Sequence, residues 1–402
     1  MKTIKFYTLG CKVNQYDSQS IRERFLARGF KEALTDSRAD YFLINTCSVT
    51  AKADQKSRHM IRGCINANPS GKIIVTGCLA EKDTLALSAV KGIDYVISKT
   101  FFPDGIKSFC GHKRAFLKVQ DGCDNFCSYC KVPLVRGRSR SRTVNAVVKE
   151  TKLLVKSGHK EIVLTGICLG NYGKDLKPKL SLVDLLKKIE AIRGLYRIRL
   201  SSIEAKDVTG NLIAWIGRSK KVCRHLHIPV QSGDDQVLKL MQRRDSSRSY
   251  SQIIKNIRDT IKGVSITTDV IVGFPGETDQ AFKHTLELLK SIQPLRVHVF
   301  PYSPRSGTKA FSMVVKDAPE KIRDRIRTVQ NLVHTLSRKY LHHLLGKQVE
   351  VLFEARSNKY PGFYEGYTDS YIKVFSKALK AKNNEIAILK VKKVMGNALL
   401  AD

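Results

Sequence analysis

Cys123-Asp-Asn-Phe-Cys127-Ser-Tyr-Cys130 places three cysteines within eight residues of a 402-residue chain. Three soft thiolates at this spacing suit either a zinc ion or an iron–sulfur cluster. A structural zinc site is usually closed by a fourth ligand, and no further Cys or His lies close to this stretch. The spacing therefore favours an iron–sulfur cluster in which one iron is left open to a substrate or cofactor.

This stretch lies near the start of a long alternation of strand and helix signals. Apolar runs that predict strands occur at Ala115–Gln120, Glu161–Thr165, Tyr196–Ser201, His225–Pro229, Val264–Val272 and Arg296–Phe300. Helical stretches separate them, which gives six βα units and predicts a partial barrel. Polar and glycine-rich residues follow each strand, as expected where a barrel carries its site at the carboxyl ends of its strands.

Three further cysteines are widely spaced in the N-terminal part, and each follows a predicted strand. Strands are predicted at Thr3–Leu9, Tyr41–Asn45, Lys72–Thr76 and Tyr95–Ile97, with a helix over Ser18–Arg28 capped by Asp17 or Ser18. An open parallel sheet brings the carboxyl ends of its strands to one edge, which predicts that Cys11, Cys47 and Cys78 are neighbours. They form either a second metal site or small buried side chains, as we expect for Cys64 and Cys110.

The last part of the chain changes its pattern twice. A basic helix is predicted over Pro319–Leu345, followed by period-two segments at Gln348–Glu354, Tyr371–Ser376 and Glu385–Val394. These segments predict a small antiparallel barrel or sandwich. The fold class is therefore α/β, with predicted domains at residues 1–110, 111–343 and 344–402.

The charge balance points to a polyanionic partner. The chain has 71 Lys and Arg against 36 Asp and Glu, a formal net charge of +35. Such an excess favours nucleic acid first and a membrane surface second. A hydrophobic fraction of 42% excludes a wholly disordered basic chain. The sequence shows neither an apolar run of roughly 18 residues nor a signal peptide, so we expect a cytoplasmic protein that does not bind membranes.

Beyond these patterns, nearly the whole chain resembles the methylthiotransferases of the radical-SAM superfamily. The matching phrases are Thr8-Leu-Gly-Cys-Lys-Val-Asn-Gln-Tyr-Asp-Ser18, Ile44-Asn-Thr-Cys-Ser-Val-Thr50, Val75-Thr-Gly-Cys78, Gln120-Asp-Gly-Cys-Asp-Asn-Phe-Cys-Ser-Tyr-Cys130, His225-Leu-His-Ile-Pro-Val-Gln-Ser-Gly233, Thr268-Asp-Val-Ile-Val-Gly-Phe-Pro-Gly-Glu277 and His298-Val-Phe-Pro-Tyr-Ser303. The resemblance implies an N-terminal auxiliary-cluster domain, a radical-SAM partial barrel and a C-terminal TRAM domain that binds RNA. Cys168 departs from the family pattern, which leads us to expect a His or another polar residue there.

Within that family the chain is most similar to the enzymes that modify N6-threonylcarbamoyladenosine beside the tRNA anticodon. This similarity rests on the phrase Leu9-Gly-Cys-Lys-Val-Asn-Gln15, with Val49 and Thr50. The enzymes for isopentenyladenosine in tRNA resemble it with Gln-Met after the first cysteine, and those for a ribosomal-protein aspartate with Pro-Lys. Both substrates remain alternatives, as does a non-enzymatic RNA-binding protein with an iron–sulfur or zinc site.

The resemblance implies two 4Fe–4S clusters and S-adenosylmethionine as cofactors, with no catalytic side chain beyond the clusters. It implies a radical cluster on Cys123, Cys127 and Cys130 and an auxiliary cluster on Cys11, Cys47 and Cys78. Cleavage of S-adenosylmethionine would give the radical that removes hydrogen from C2 of the adenine. An electron donor such as flavodoxin or ferredoxin is a further expected partner.

Two sets of side chains are candidates for binding. The candidates for S-adenosylmethionine are Tyr129, Thr165, Gly166, Ser202, Glu204, Gln231, Gly273 and Phe300. The candidates for phosphates of the tRNA anticodon stem-loop are Arg136, Arg138, Arg140, Arg142, Arg243, Arg244 and Arg248. Arginine suits this second role because its planar guanidinium forms paired hydrogen bonds with phosphate oxygens.

Overall fold

The computed structural model describes residues 1–33, 38–98, 105–377 and 384–402. Three regions follow one another along the chain: an open parallel sheet, a partial barrel of parallel strands and a small closed β-barrel. The α/β class with these three parts in this order is confirmed. Within the described ranges, no helix combines the length and the apolar character that crossing a membrane requires.

The N-terminal region is a five-stranded parallel sheet in the order β2-β1-β3-β4-β5. Its strands are β1 (Thr3–Thr8), β2 (Lys31–Glu32), β3 (Tyr41–Thr46), β4 (Lys72–Gly77) and β5 (Tyr95–Val96), and its helices are α1 (Lys12–Ala27), α2 (Ala51–Ala67), α3 (Cys78–Lys82) and α4 (Thr84–Ser88). Ile4, Leu43 and Ile74 are buried in one of its apolar clusters. The edge strand β2 lies outside the prediction, because its two residues are exposed and give no apolar signal.

The first helix also differs from the prediction. It begins at Lys12, so Asp17 and Ser18 lie inside it and do not cap it. Both are buried because the fold gives their polar atoms partners: Thr8 Oγ1 donates to Ser18 Oγ at 2.6 Å, and Asp17 forms an ion pair with Lys118 of the next region. A search for apolar periodicity misses this helix turn because its inner face is polar.

The central region is the expected partial barrel. Its strands are β6 (Arg114–Lys118), β7 (Gln120–Asp121), β8 (Arg140–Ser141), β9 (Glu161–Thr165), β10 (Arg197–Leu200), β11 (His225–His227), β12 (Ser265–Val272) and β13 (Arg296–Pro301). Its helices are α5 (Val132–Arg136), α6 (Val144–Lys156), α7 (Leu182–Glu190), α8 (Gly210–Arg218), α9 (Asp235–Leu240), α10 (Ser247–Thr260) and α11 (Asp279–Ile292). Two parallel three-stranded sheets, β6-β9-β10 and β11-β12-β13, are joined by the bridges Ile198–Val222 and Ser202–His227. The hairpin pair β7 and β8 frames the cysteine loop.

A long helix leads into the C-terminal barrel. The elements are α12 (Pro319–His342), β14 (Gln348–Arg356), β15 (Tyr364–Thr368), β16 (Lys373–Ser376), β17 (Ile386–Met395) and β18 (Ala398–Ala401). The strands close in the order β14-β15-β16-β18-β17. The neighbouring strands are antiparallel, as predicted, except for the pair β16 and β18, which is parallel. Five strands cannot close into a ring with every neighbour antiparallel, so one parallel pair is required.

The turn between β15 and β16 covers the amino ends of the partial barrel. Arg199 Nη1 donates to Asp369 O at 2.8 Å, and Ser265 Oγ donates to Ser370 O at 2.6 Å. Arg197 Nη1 donates to Tyr367 O at 3.1 Å. This turn therefore forms the floor of the barrel lumen, opposite the edge that carries the cysteine loop.

Candidate functional site

The carboxyl edge of the N-terminal sheet brings together the three dispersed cysteines. Cys47 and Cys78 directly follow β3 and β4, Cys11 follows β1 after Leu9 and Gly10, and all three are free thiols. Gly10 has φ +100°, and a Cβ at this position would lie 2.9 Å from Cys47 Sγ, so only glycine allows this approach. Burial raises the pKa of Cys47 to about 11, with smaller contributions from the neighbouring Cys78 and Cys11.

Asn14 joins the strand ends beside these cysteines. Its Nδ2 donates to Leu9 O at 2.8 Å and to Thr46 O at 2.9 Å, and its Oδ1 lies 3.9 Å from Cys78 Sγ. The amide is fully buried. Asn14 therefore fixes the spacing of the carboxyl ends of β1 and β3 next to the thiol of Cys78.

Arg136 connects this edge to the barrel. Its Nη1 lies 2.9 Å from Asp121 Oδ1, and its Nη2 lies 3.4 Å from Asp17 Oδ2 and donates to Asn14 Oδ1. The guanidinium is buried and bound to these side chains, and the contact of Arg136 with tRNA phosphates stays a prediction. Despite its burial, the pKa of Arg136 is raised by Asp121, Cys78, Asp17 and Cys11. Its charge therefore lies beside the first cysteine set.

The second cysteine set lies on the loop after β7. Cys123 N donates to Gly137 O at 3.0 Å, and Ser128 N donates to Met241 O at 3.0 Å. A Cβ on Gly122, where φ is +73°, would lie 2.0 Å from Arg138 O. These contacts hold Cys123, Cys127 and Cys130 in one half-buried loop at the carboxyl edge of the barrel. Burial raises the pKa of Cys130 to about 12.

A fourth thiol, Cys168, belongs to this site, although the sequence gives it only the signal of its place after β9. Its N–H donates to Gln120 Oε1 at 2.8 Å, and Asn125 Nδ2 donates to its Sγ at 3.5 Å. A hydrogen bond with Cys168 lowers the pKa of Cys123 to about 7. The backbone N–H of Asn125 also donates to Cys123 Sγ at 3.4 Å. Donors aimed at a thiolate fit a cluster ligand.

Glu204 and Arg243 form an ion pair near this loop. Arg243 Nη2 lies 2.5 Å from Glu204 Oε2 and donates to Pro229 O at 3.0 Å, while its side chain is only 4% exposed. The sequence predicts that Arg243 contacts tRNA phosphate, and this contact stays a prediction. Arg142 is likewise bound, to Glu150, to Tyr16 Oη at 2.9 Å and to Lys118 O at 2.9 Å, and its phosphate contact also stays a prediction.

The other predicted S-adenosylmethionine residues all lie at the carboxyl edge of the barrel but differ in what they offer. Gln231 has φ +72°, and Phe300 is 44% exposed. The Tyr129 ring packs edge-on against Phe274 at 6.3 Å. Thr165 Oγ1 donates to the carbonyl of Val163 in its own strand, and Gly166 is the next residue along the chain. Ser202 forms a β-bridge with His227 of β11, and Gly273 packs against Ile322.

The remaining predicted phosphate contacts are exposed. They are Arg138, which pairs with Asp124 at 2.8 Å, and Arg140, Arg244 and Arg248. Arg244 lines a cavity of about 310 Å³ together with Lys174, Lys206 and Asn125. Arg138 and Arg244 therefore place positive charge beside Asp124 and Asn125 of the cysteine loop.

The barrel lumen contains a group of polar side chains that the sequence reasoning missed. Asp269 accepts from His227 at 3.2 Å and lies 3.0 Å from His298 Nδ1, while His227 Nδ1 lies 2.8 Å from Thr267 Oγ1. Burial raises the pKa of Asp269, but hydrogen bonds with both imidazoles lower it to about 2. His227, Asp269 and His298 lie inside the quoted phrases, yet only the strand register shows that their side chains meet.

Comparison with known proteins agrees with this architecture. The radical SAM superfamily model matches residues 117–289, and the model of the uncharacterized protein family UPF0004 matches residues 3–98. The chain is 35% identical to the threonylcarbamoyladenosine tRNA methylthiotransferase MtaB of Bacillus subtilis, over 98% of this chain and 94% of the relative. It is 39% identical to the protein of that name from Thermotoga maritima, over 93% and 91%. It is also 35% identical to a tRNA-2-methylthio-N(6)-dimethylallyladenosine synthase of Clostridium tetani, over 90% and 88%.

Solved structures share the fold at low sequence identity. The radical S-adenosylmethionine methyltransferase TsrM of Kitasatospora setae matches with a TM-score of 0.52 at 13% identity, over 77% of each chain. The cobalamin-dependent enzyme OxsB matches with a TM-score of 0.51 at 14% identity, over 84% of this chain and 57% of that one.

The parallel barrel with its three-cysteine loop defines a radical SAM protein, with a 4Fe–4S cluster and S-adenosylmethionine as its cofactors. Within that superfamily, the chain belongs to the tRNA methylthiotransferase family.

Proposed function

We propose that the chain converts N6-threonylcarbamoyladenosine next to the tRNA anticodon into its 2-methylthio derivative. The observation that carries this proposal is the pairing of two cysteine sets across one domain interface. Arg136 is bound to Asp121, two residues before Cys123, and to Asn14, three residues after Cys11. Two sulfur-ligand sets linked through one buried arginine suit a reaction that needs both hydrogen removal and sulfur insertion at one carbon.

The two cysteine sets hold two 4Fe–4S clusters in this proposal. Cys123, Cys127 and Cys130 hold the radical cluster, and Cys11, Cys47 and Cys78 hold the auxiliary cluster. When bound, the clusters and S-adenosylmethionine supply the radical that removes hydrogen from adenine C2 and the sulfur that replaces it. The donor sets fit these groups, because each offers three thiols and leaves one iron open. Arg136 offsets the negative charge that the thiolates bring.

The chain's own residues bind and orient the small cofactor. Glu204, Gln231, Ser202 and Gly166 lie at strand ends beside the cysteine loop and offer groups to the ribose and the methionine amine. Arg243 holds the Glu204 carboxylate in place. Tyr129 and Phe300 border the adenine, while Thr165 and Gly273 shape the edge through their own packing.

In this proposal, residues 1–110 form the auxiliary-cluster domain, residues 111–343 the radical-SAM domain and residues 344–402 the RNA-binding domain. Arg138, Arg140, Arg244 and Arg248 contact phosphates of the anticodon stem-loop, and the C-terminal barrel adds RNA contacts. Phosphate contacts make such binding steeply dependent on salt without selecting a sequence. A flavodoxin or ferredoxin supplies electrons, and the tRNA substrate places the reaction in the cytoplasm.

A reconstituted assay tests this function. Purified protein with both clusters, S-adenosylmethionine, reductant and tRNA carrying threonylcarbamoyladenosine should give the 2-methylthio nucleoside by mass spectrometry. Cys47→Ala should lose the product. Cys110→Ala should keep it, because Cys110 lies outside both sets and is exposed, whereas the sequence predicts a buried side chain there. Product on dimethylallyladenosine instead would favour the isopentenyl alternative. A single metal site without S-adenosylmethionine cleavage would favour the non-enzymatic one.

A further inference from the structure

One face of β13 forms a row of side chains that runs down the barrel lumen. Arg296, His298 and Phe300 alternate with Val297 and Val299, and the two valines pack against the apolar core. The three other side chains therefore point into the lumen. His298 lies 5.5 Å from the ring of His227 and 6.5 Å from that of Phe300. The row passes from an exposed aromatic ring near the cysteine loop to a cation at the floor.

The floor itself is strongly cationic around one phenol. The Tyr371 ring lies 4.7 Å from the Arg199 guanidinium carbon, 5.1 Å from that of Arg114 and 5.8 Å from that of Arg296. Tyr371 has φ +65°, a backbone region that tyrosine rarely adopts, within the turn that Arg199 and Ser265 bind. The fold therefore imposes a strained backbone to hold this phenol among cations, which is a feature of functional sites.

Among the described residues, two of the cations at the floor have no acidic partner. Arg199 pairs with Glu161, and Arg114 pairs with Glu354. Neither Arg296 nor Lys12 forms an ion pair within the part of the chain that the structure describes. Lys12 is half-buried and lies close enough to Tyr371, Arg114 and Arg199 to interact with them electrostatically.

Unpaired charges in a shielded lumen favour an anionic occupant. Desolvated cations are unfavourable unless an opposite charge or a strong acceptor meets them. If the adenine ring of the substrate lies near the cysteine loop, the group that reaches the floor is the far end of its N6 substituent. That end must therefore carry the anion. The threonylcarbamoyl group ends in a carboxylate, whereas the dimethylallyl group ends in methyl groups and would leave both cations unpaired.

We propose that Lys12 and Arg296, together with the Tyr371 phenol, form a carboxylate-binding subsite that recognises the end of the N6 substituent. This subsite rests on the proposed function, because it assumes that the modified adenosine enters the lumen. It makes Lys12 and Arg296 specificity-determining residues. It also gives a physical reason why Lys12, in the phrase that distinguishes the substrate classes, faces the barrel.

Binding of three synthetic anticodon stem-loops to the cluster-loaded protein tests the subsite. They carry threonylcarbamoyladenosine, its methyl ester and dimethylallyladenosine. We expect the acid to bind roughly 10- to 100-fold more tightly than the ester, as for a charge-assisted hydrogen bond. Arg296→Met and Lys12→Met should each remove most of this preference, and Arg296→Lys should restore part of it. Arg218→Met and Lys255→Met, both exposed on outer helices, should leave it unchanged.

The outcomes separate the subsite from the function. Equal binding of acid and ester by the wild-type protein would overturn the subsite, whatever the turnover. Equal loss of affinity for all three RNAs in Lys12→Met would also overturn it and assign Lys12 to the auxiliary cysteines. A wild-type protein that binds the acid more tightly than the ester, yet methylthiolates none of the three RNAs, would overturn the proposed function and leave the subsite standing.

Discussion

The two cysteine sets reach similar chemistry by opposite routes. Cys123, Cys127 and Cys130 lie on one loop that the barrel anchors at Gly137 and Met241. Cys11, Cys47 and Cys78 come from three strand ends, and a buried network around Asn14 and Arg136 holds them together. A local loop keeps its spacing through its own turns, while a dispersed set depends on the register of a whole sheet. The dispersed set should therefore be the more easily lost.

The largest predicted effect separates the two sets completely. Cys127→Ala should abolish S-adenosylmethionine cleavage, and Cys47→Ala should keep cleavage but abolish methylthiolation. In each variant, iron after anaerobic reconstitution should fall from about eight to about four atoms per chain. Loss of all iron in either variant would show that the sets are not independent, and Cys110→Ala serves as the control.

Gly10→Ala should break only the dispersed set. The added Cβ would meet Cys47 Cβ at 2.8 Å in a backbone conformation of φ +100°, at a cost of about 1–3 kcal/mol. We expect loss of the auxiliary cluster with retention of S-adenosylmethionine cleavage. Gly111→Ala is the matched control, since φ is +76° there and none of the described residues lies within 4 Å of the added Cβ. Full iron content in Gly10→Ala would contradict the close approach at Cys47.

Arg136→Met tests the link between the sets. In this variant Asp17 and Asp121 keep Lys118 as a cationic partner. The free energy of unfolding should therefore fall by an amount near the lower end of the range of about 3–5 kcal/mol for breaking a buried ion pair. Arg138→Met, at a side chain 76% exposed, should change stability by about 0–1 kcal/mol. Chemical denaturation measures both. Equal stability of the two variants, with weaker tRNA binding by Arg136→Met, would instead support a contact between Arg136 and tRNA phosphates.

The smallest effect concerns Cys168. In metal-free protein, iodoacetamide labelling of Cys123 should have its midpoint near pH 7, because the hydrogen bond with Cys168 favours the thiolate. Cys168→Ala removes that bond, so the midpoint should move to higher pH, and Cys168→Ser should move it less. In loaded protein, the same loss of a donor to a ligand sulfur should lower the reduction potential. An unchanged midpoint would show that Cys168 only packs.

The two cysteine sets could both be predicted from the sequence, whereas the buried polar groups around them could not. The cysteine loop follows from spacing alone, and the dispersed set follows once strand ends are predicted to share an edge. Asp17 and Arg136 illustrate the limit, because a charged residue gives no local sign that a partner from another region buries it. The lumen groups Asp269, His298 and Tyr371 were missed for a related reason, since strand register and a turn from the C-terminal barrel bring them together.

The most direct test of the central claim is the nucleoside composition of tRNA in cells. A strain lacking this gene should accumulate threonylcarbamoyladenosine without its 2-methylthio form, as measured by mass spectrometry. The wild-type gene and Cys110→Ala should restore the 2-methylthio nucleoside, while Cys47→Ala and Cys127→Ala should not. Restoration by either of the latter variants, or an unchanged nucleoside profile in the deletion strain, would contradict the account.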